Sequence, residues 1–127
     1  LLSDADEVLV AQDAHMSEVY LGAFRRGADN LPQAIFPERL QSQTLIEGLD
    51  ESSASGRVAA GSGWARYPAL AAANASFIGA ESAVAYPRAR FLLSLGEVAL
   101  AGGTAVRPQD LVPAYLRSKV AQKPASG

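Results

Sequence analysis

Residues 7–24, EVLVAQDAHMSEVYLGAF, decide the fold. Two apolar runs, residues 8–11 and 19–24, flank a polar link over residues 12–18. A strand with one wet face alternates apolar and polar side chains, because successive side chains point to opposite faces. Neither run alternates cleanly. Short continuous apolar runs therefore predict strands covered on both faces, central in a sheet packed against helices. The link is too short for a crossover helix, so the two strands are predicted to be antiparallel neighbours. Periodicity alone does not separate such runs from buried helix, but the Val, Tyr and Phe content of the second favours strand.

The chain has 127 residues, enough for one domain with its own core. Its hydrophobic fraction of 49% and charged fraction of 19% place it among globular rather than disordered chains. A formal net charge of -2, with scattered basic residues of which Arg25–Arg26 is the tightest pair, argues against direct nucleic-acid binding by this domain. The absence of cysteine excludes disulfides, thiol catalysis and cysteine-ligated zinc, and fits a reducing, cytoplasmic setting. No stretch has the length of a membrane span or the flanks of a signal peptide. The chain begins at Leu1 rather than methionine and enters a strand within a few residues, which predicts a fragment lacking an N-terminal part.

Outward from the hairpin, residues 1–6 are a polar lead-in and residues 25–30 (RRGADN) a second reversal. Residues 31–40 alternate in part but carry Pro32 and Pro37, which cannot donate to a sheet ladder, so this third strand is predicted at an edge or broken near Pro37. The start is a three-stranded antiparallel meander. Ser42 is placed to cap a short helix reaching Gly48, with Leu45, Ile46 and Leu49 inward. A loop over 50–56 leads to a short buried strand, 57–60. Gly61-Ser62-Gly63 follows, then a helix over 64–73 interrupted near Pro68 and a short strand over 75–79. The strongest helical pattern is 87–101, with proline in its first turn and Gly102-Gly103 at its end. Phe91, Leu92, Leu95, Val98 and Ala99 make a stripe at helical spacing, read as core together with Tyr20 and Phe24. Residues 106–117 are irregular or extended and 118–127 a frayed tail. Strands in front with helices mixed in behind define an α/β class.

Each chemically suggestive residue has a plain alternative. His15 is the single histidine, and metal sites and catalytic histidines both need convergent partners, so it reads as a solvated turn residue. Asp13 ends a strand at a tight turn. In sugar-kinase and actin-like ATPases an aspartate with following glycines lets backbone N–H groups approach phosphate there. This link has no glycine, so Asp13 reads as capping its own turn. Gly61-Ser62-Gly63-Trp64 falls short of a dinucleotide fingerprint and reads as a structural turn, with Trp64 a core or lobe-interface anchor. Arg88 and Arg90 sit at an unfavourable helix end and either reach toward a partner or are solvated. No Ser-His-Asp constellation can be built on the single histidine.

Taken together, three motifs resemble the C-terminal lobe of the TsaB (YeaZ) family, bacterial proteins of threonylcarbamoyladenosine biosynthesis. The first is the apolar strand followed by Asp13, Ala14, His15, Glu18, Val19 and Tyr20, where the family tends to read Asp-Ala-Arg and then Glu-Val-Tyr. The second is GSGWARYPAL, with Gly61, Gly63 and Trp64, and the third is Pro113-Ala114-Tyr115-Leu116-Arg117. His15 stands where the family has arginine. The resemblance implies the second lobe of an actin-like, ribonuclease-H-like pair, with residues 1–127 a single domain and the first lobe before Leu1. It marks Asp13, Glu18, Tyr20, Gly61, Gly63, Trp64, Pro113, Tyr115 and Arg117 as family-motif positions, structural or at an interface, with no catalytic, cofactor or metal role. The family is related to the peptidase M22 (glycoprotease) group, yet the implied role is non-catalytic. It is a cytoplasmic partner of the paralogue TsaD and the ATPase TsaE, mainly through the first lobe, in modifying an adenosine of tRNAs that read codons beginning with A. Contact with tRNA would be indirect, with no membrane and no cofactor in this domain. Two other readings stay open: an active M22-type metalloprotease or ATP-dependent transferase lobe, and a generic protein-interaction domain. Loss of the first lobe would bare apolar surface, so a homodimer is a further expectation.

Overall fold

The computed structural model describes residues 5–117. Strands β1 (Glu7–Asp13), β2 (Glu18–Arg26) and β3 (Pro32–Ser42) form the antiparallel meander, and β4 (Arg57–Ala60) and β5 (Ala80–Glu81) join in parallel beyond β1. The sheet order is β3-β2-β1-β4-β5, so β1 lies at its centre and β3 at an edge. The edge strand tolerates its prolines through two irregularities. Pro37 and Glu38 lie opposite the single residue Gly22, and the register shifts again between Ala23 and Phe24.

Strand periodicity divides the hairpin. Leu9, Ala11, Val19, Leu21 and Ala23 are buried on one face. There they meet α1 (Ser62–Arg66) and α2 (Pro68–Ala73) through Trp64, Tyr67 and Leu70. The two helices are one run broken at Tyr67, because the ring of Pro68 forces the preceding residue out of the helical region (φ -126°, ψ 82°). On the other face Val8, Val10 and Phe24 are half-buried and Tyr20 is exposed. A groove of about 410 Å³ separates Val8, Val10 and Phe24 from Phe91, Leu92 and Leu95. Cover on both faces is thus complete on the α1–α2 side and partial on the other.

Helix α1 lies unusually close to β1. Gly61 has φ 109°, and a Cβ there would stand 2.2 Å from the carbonyl oxygen of Ala11. A Cβ at Gly63 would meet Val19 at 2.8 Å and the same carbonyl at 2.9 Å. The indole N–H of Trp64 donates to the carbonyls of Ala60 (3.0 Å) and Leu9 (3.3 Å), tying the helix to both strands. Gly61, Gly63 and Trp64 are therefore structural, and the tryptophan is a core anchor.

Two buried polar side chains organise the irregular segments. Arg57, 2% exposed, is the register partner of Glu7. Its Nε donates to Glu7 Oε2 (2.9 Å), and its terminal nitrogens donate to the carbonyls of Phe77 (3.1 Å) and Asp50 (3.2 Å). Asn74 is fully buried. It accepts from the Ile46 backbone N–H (2.8 Å) and donates to the carbonyls of Thr44 (3.0 Å) and Leu70 (2.8 Å).

These contacts account for several departures from expectation. No helix forms over 42–48. Asn74 takes the backbone groups of Thr44 and Ile46, only Ile46 enters the core, and Leu45 is exposed. Residues 75–77 form a 3₁₀ turn rather than a strand, because the Phe77 carbonyl is held by Arg57; pairing with β4 starts only at Gly79, and β5 is Ala80–Glu81. The last helix begins as a 3₁₀ turn, Ala89–Leu92, and becomes α-helical as α3 (Leu93–Ala101), so Pro87 lies outside it. It ends as expected, with Gly103 at φ 68° and the Thr104 N–H donating back to the Ala99 carbonyl (3.0 Å). Its stripe is not core: Phe91, Leu92, Leu95 and Val98 are exposed, and so is Tyr20, which strand alternation places away from the α1–α2 face. Arg90 lies over the Phe91 ring at 4.7 Å. Residues 111–117 run extended, as expected. The tail at 118–127 lies outside the described residues.

Gly61→Ala is expected to destabilise the domain by at least about 2 kcal/mol, since it combines a left-handed backbone with a clash against main chain. A denaturation midpoint unchanged from the parent would show that α1 can move off β1 freely.

Candidate functional site

The sheet topology brings the first two motifs together. Parallel β1 and β4 end side by side, and the carboxyl ends of parallel strands are where α/β proteins place ligands. Here the β1–β2 turn, the start of α1 and residues 85–86 surround a shallow pocket lined by Gln12, Asp13, His15, Ser62, Ala65, Arg66 and Tyr86.

The polar groups at this end are joined to one another. Asp13 Oδ1 accepts from the Tyr67 hydroxyl (2.7 Å) and from the His15 backbone N–H (2.9 Å). Ser62 Oγ donates to Gln12 Oε1 (3.0 Å) and accepts from the Asp13 backbone N–H (3.2 Å). Gln12 Nε2 donates to the Ala85 carbonyl (3.0 Å). The expected self-capping role of Asp13 is what its bond to His15 N–H performs. Tyr67, Ser62 and Gln12 are the residues that sequence reasoning missed. The only available signal was the aromatic-proline pair inside the second motif.

The hydrogen bond from Tyr67, with the backbone bond from His15, holds the Asp13 carboxyl below the usual carboxylate range. The same Asp13 bond pushes the Tyr67 phenol up. His15 Nδ1 is 3.8 Å from Asp13 Oδ2, but its side chain is 88% exposed, as a solvated turn residue should be. Among the described residues no three His, Asp or Glu side chains cluster as a metal site would require. No described helix is long and apolar enough to cross a membrane.

The turn carries a conformation that its composition disfavours. His15, Met16 and Ser17 have φ of 61°, 53° and 62°, three successive left-handed residues without a glycine. The expectation that a glycine-free link would avoid positive φ is corrected here. What holds the turn is a residue about a hundred positions away, from the third motif. Arg117 Nη2 donates to the Ala14 carbonyl (2.9 Å), and Nη1 pairs with Glu18 Oε2 (2.6 Å) and reaches Met16 Sδ (3.5 Å). Tyr20 adds a further polar contact to the guanidinium. Left-handed residues turn their carbonyls outward, and a guanidinium fork satisfies several at once. Of the motif residues, Asp13, Glu18, Tyr20 and Arg117 therefore meet at the turn and Gly61, Gly63 and Trp64 support it from below. Pro113 and Tyr115 stay exposed on the strand of chain that leads to Arg117.

The architecture is an α/β lobe, a mixed five-stranded sheet with helices. The chain matches no family model and no curated protein. Among solved structures it is similar to YeaZ from Pseudomonas aeruginosa, with a TM-score of 0.69 and 27% identity over 90% of this chain and 51% of that one. It is similar also to a crystal structure described as an uncharacterized protein with similarity to peptidase YEAZ from the same organism (TM-score 0.71, 27% identity, 91% and 51%). The resemblance to YeaZ (TsaB) drawn from the three motifs is thus met by the fold. The chain spans about half the length of these structures.

Tyr67→Phe is expected to raise the titration midpoint of Asp13, followed by carboxyl carbon NMR. Because the folded-state value is depressed, the Asp13 contribution to stability is present above its unfolded-state value and is lost as pH falls through the folded one. The variant should therefore lose less stability on acidification than the parent. An unmoved Asp13 midpoint would assign the depression to the backbone bond alone.

Proposed function

We propose that this chain is the second lobe of an actin-like, two-lobed protein of the TsaB type, acting as a non-catalytic partner in threonylcarbamoyladenosine modification of tRNA. The observation that carries the reading is the likeness to YeaZ over nine-tenths of the chain, in company with three ordered motifs. The saturated network at the hairpin end supports it. Gln12, Asp13, Ser62 and Tyr67 spend their hydrogen bonds on one another and on backbone, an arrangement suited to bracing a turn rather than to moving protons on a substrate. In this reading the TsaD-like paralogue carries the chemistry and a TsaE-like ATPase assists. The main partner surface lies on the other lobe, tRNA is met indirectly, and the setting is cytoplasmic without a cofactor in this lobe.

The test is reconstitution. TsaD, TsaE, threonylcarbamoyl-adenylate and tRNA are assayed for modified adenosine with and without the protein that carries this chain. Dependence on that protein, with no turnover by it alone, is expected; equal rates without it overturn the reading. Because one neighbour is described as similar to a peptidase, casein hydrolysis belongs in the same experiment, and no cleavage is expected.

The half-open apolar face formed by Val8, Val10, Phe24, Phe91, Leu92 and Leu95 gives the isolated chain a surface for self-association. Sedimentation is expected to show a concentration-dependent dimer. A clean monomer at high concentration would remove that proposal.

A further inference from the structure

We propose that Met16 is a peroxide-sensitive modification site whose oxidation tightens the clamp between the C-terminal strap and the β1–β2 turn. It is the single methionine of the chain, 57% exposed at the tip of the turn, with the Arg117 Nη1 donor 3.5 Å from its sulfur. A thioether is a weak hydrogen-bond acceptor. Its sulfoxide is polar, and its oxygen is a strong acceptor placed beside a cation already held by Glu18 and the Ala14 carbonyl.

The step balances with a hydroperoxide as oxidant. The sulfur lone pair bonds to one peroxide oxygen as the O–O bond breaks, and the other oxygen takes up a proton and leaves as water (or as an alcohol, from an alkyl hydroperoxide). Sulfur is oxidised by two electrons and the peroxide is reduced by two. A methionine sulfoxide reductase reverses the change. The site lies where residues 111–116 run exposed and extended, so the grip on Arg117 sets how firmly this strap covers the turn that carries Asp13. The inference rests on the Arg117 geometry and stands independently of the role in tRNA modification.

The experiment reads release of Arg117 by trypsin, which must draw the guanidinium out of its clamp to cut the Arg117–Ser118 bond. The chain is treated with hydrogen peroxide, the single added oxygen on Met16 is verified by mass spectrometry, and cleavage after Arg117 is timed against cleavage after Arg107. Arg107 is exposed and paired only within its own turn, with Asp110. The oxidised chain is expected to be cut about fivefold more slowly, the factor that one net hydrogen bond supplies. Reductase treatment should restore the original rate. Met16→Leu should show no response to peroxide, and Glu18→Gln should leave the response in place because the sulfoxide oxygen acts without it. An unchanged or faster rate after oxidation, or an equal response in Met16→Leu, overturns the proposal.

Discussion

The close seating of α1 on β1 is the constraint on which the rest depends. Only glycine fits at Gly61, where φ is 109° and a Cβ would press into the Ala11 carbonyl, and Gly63 repeats the requirement one step on. With the helix that close, the Trp64 indole reaches the carbonyls of Leu9 and Ala60, and the buried face of the hairpin is sealed by Trp64, Tyr67 and Leu70. The same seating brings Ser62 and Tyr67 within hydrogen-bond reach of Asp13. A helix held an ångström or two further out would lose both the core contact and the brace on the turn.

Buried polar side chains do for the irregular segments what hydrophobic packing does for the sheet. Arg57 is out of water, yet its charge is matched by Glu7 and its remaining donors by two carbonyls, so the burial leaves no donor stranded. Asn74 in the same way fixes the path of residues 44–46. Among the described residues no buried side-chain polar atom lacks a partner. That completeness favours a single path for loops that have little regular structure of their own.

At the hairpin end the strain and its compensation lie far apart in sequence. Three left-handed residues are held by Arg117, and Asp13 is held by Tyr67. The result is a rigid, internally satisfied tip joined to an exposed apolar strap. Such a tip suits a lobe that positions a partner better than one that turns over a substrate, in keeping with the likeness to YeaZ.

The sequence by itself determined what depends on near neighbours. The two runs of the hairpin, their antiparallel pairing, the edge position of the proline-bearing strand, the short strand at residues 57–60, the break at Pro68 and the glycine end of the last helix all follow from local sterics and periodicity. The three motifs also carried the resemblance that the fold bears out. Tertiary structure alone decided the rest, because the deciding partners are distant. The 42–48 segment has a capping serine and inward-spaced apolar residues, but Asn74 claims its backbone. Phe77 has strand character, but Arg57 claims its carbonyl. The stripe on the last helix has core composition, but periodicity records which residues share a face and not whether anything covers that face. The left-handed turn without glycine was equally beyond local reading, since the guanidinium that stabilises it enters from the far end of the described chain.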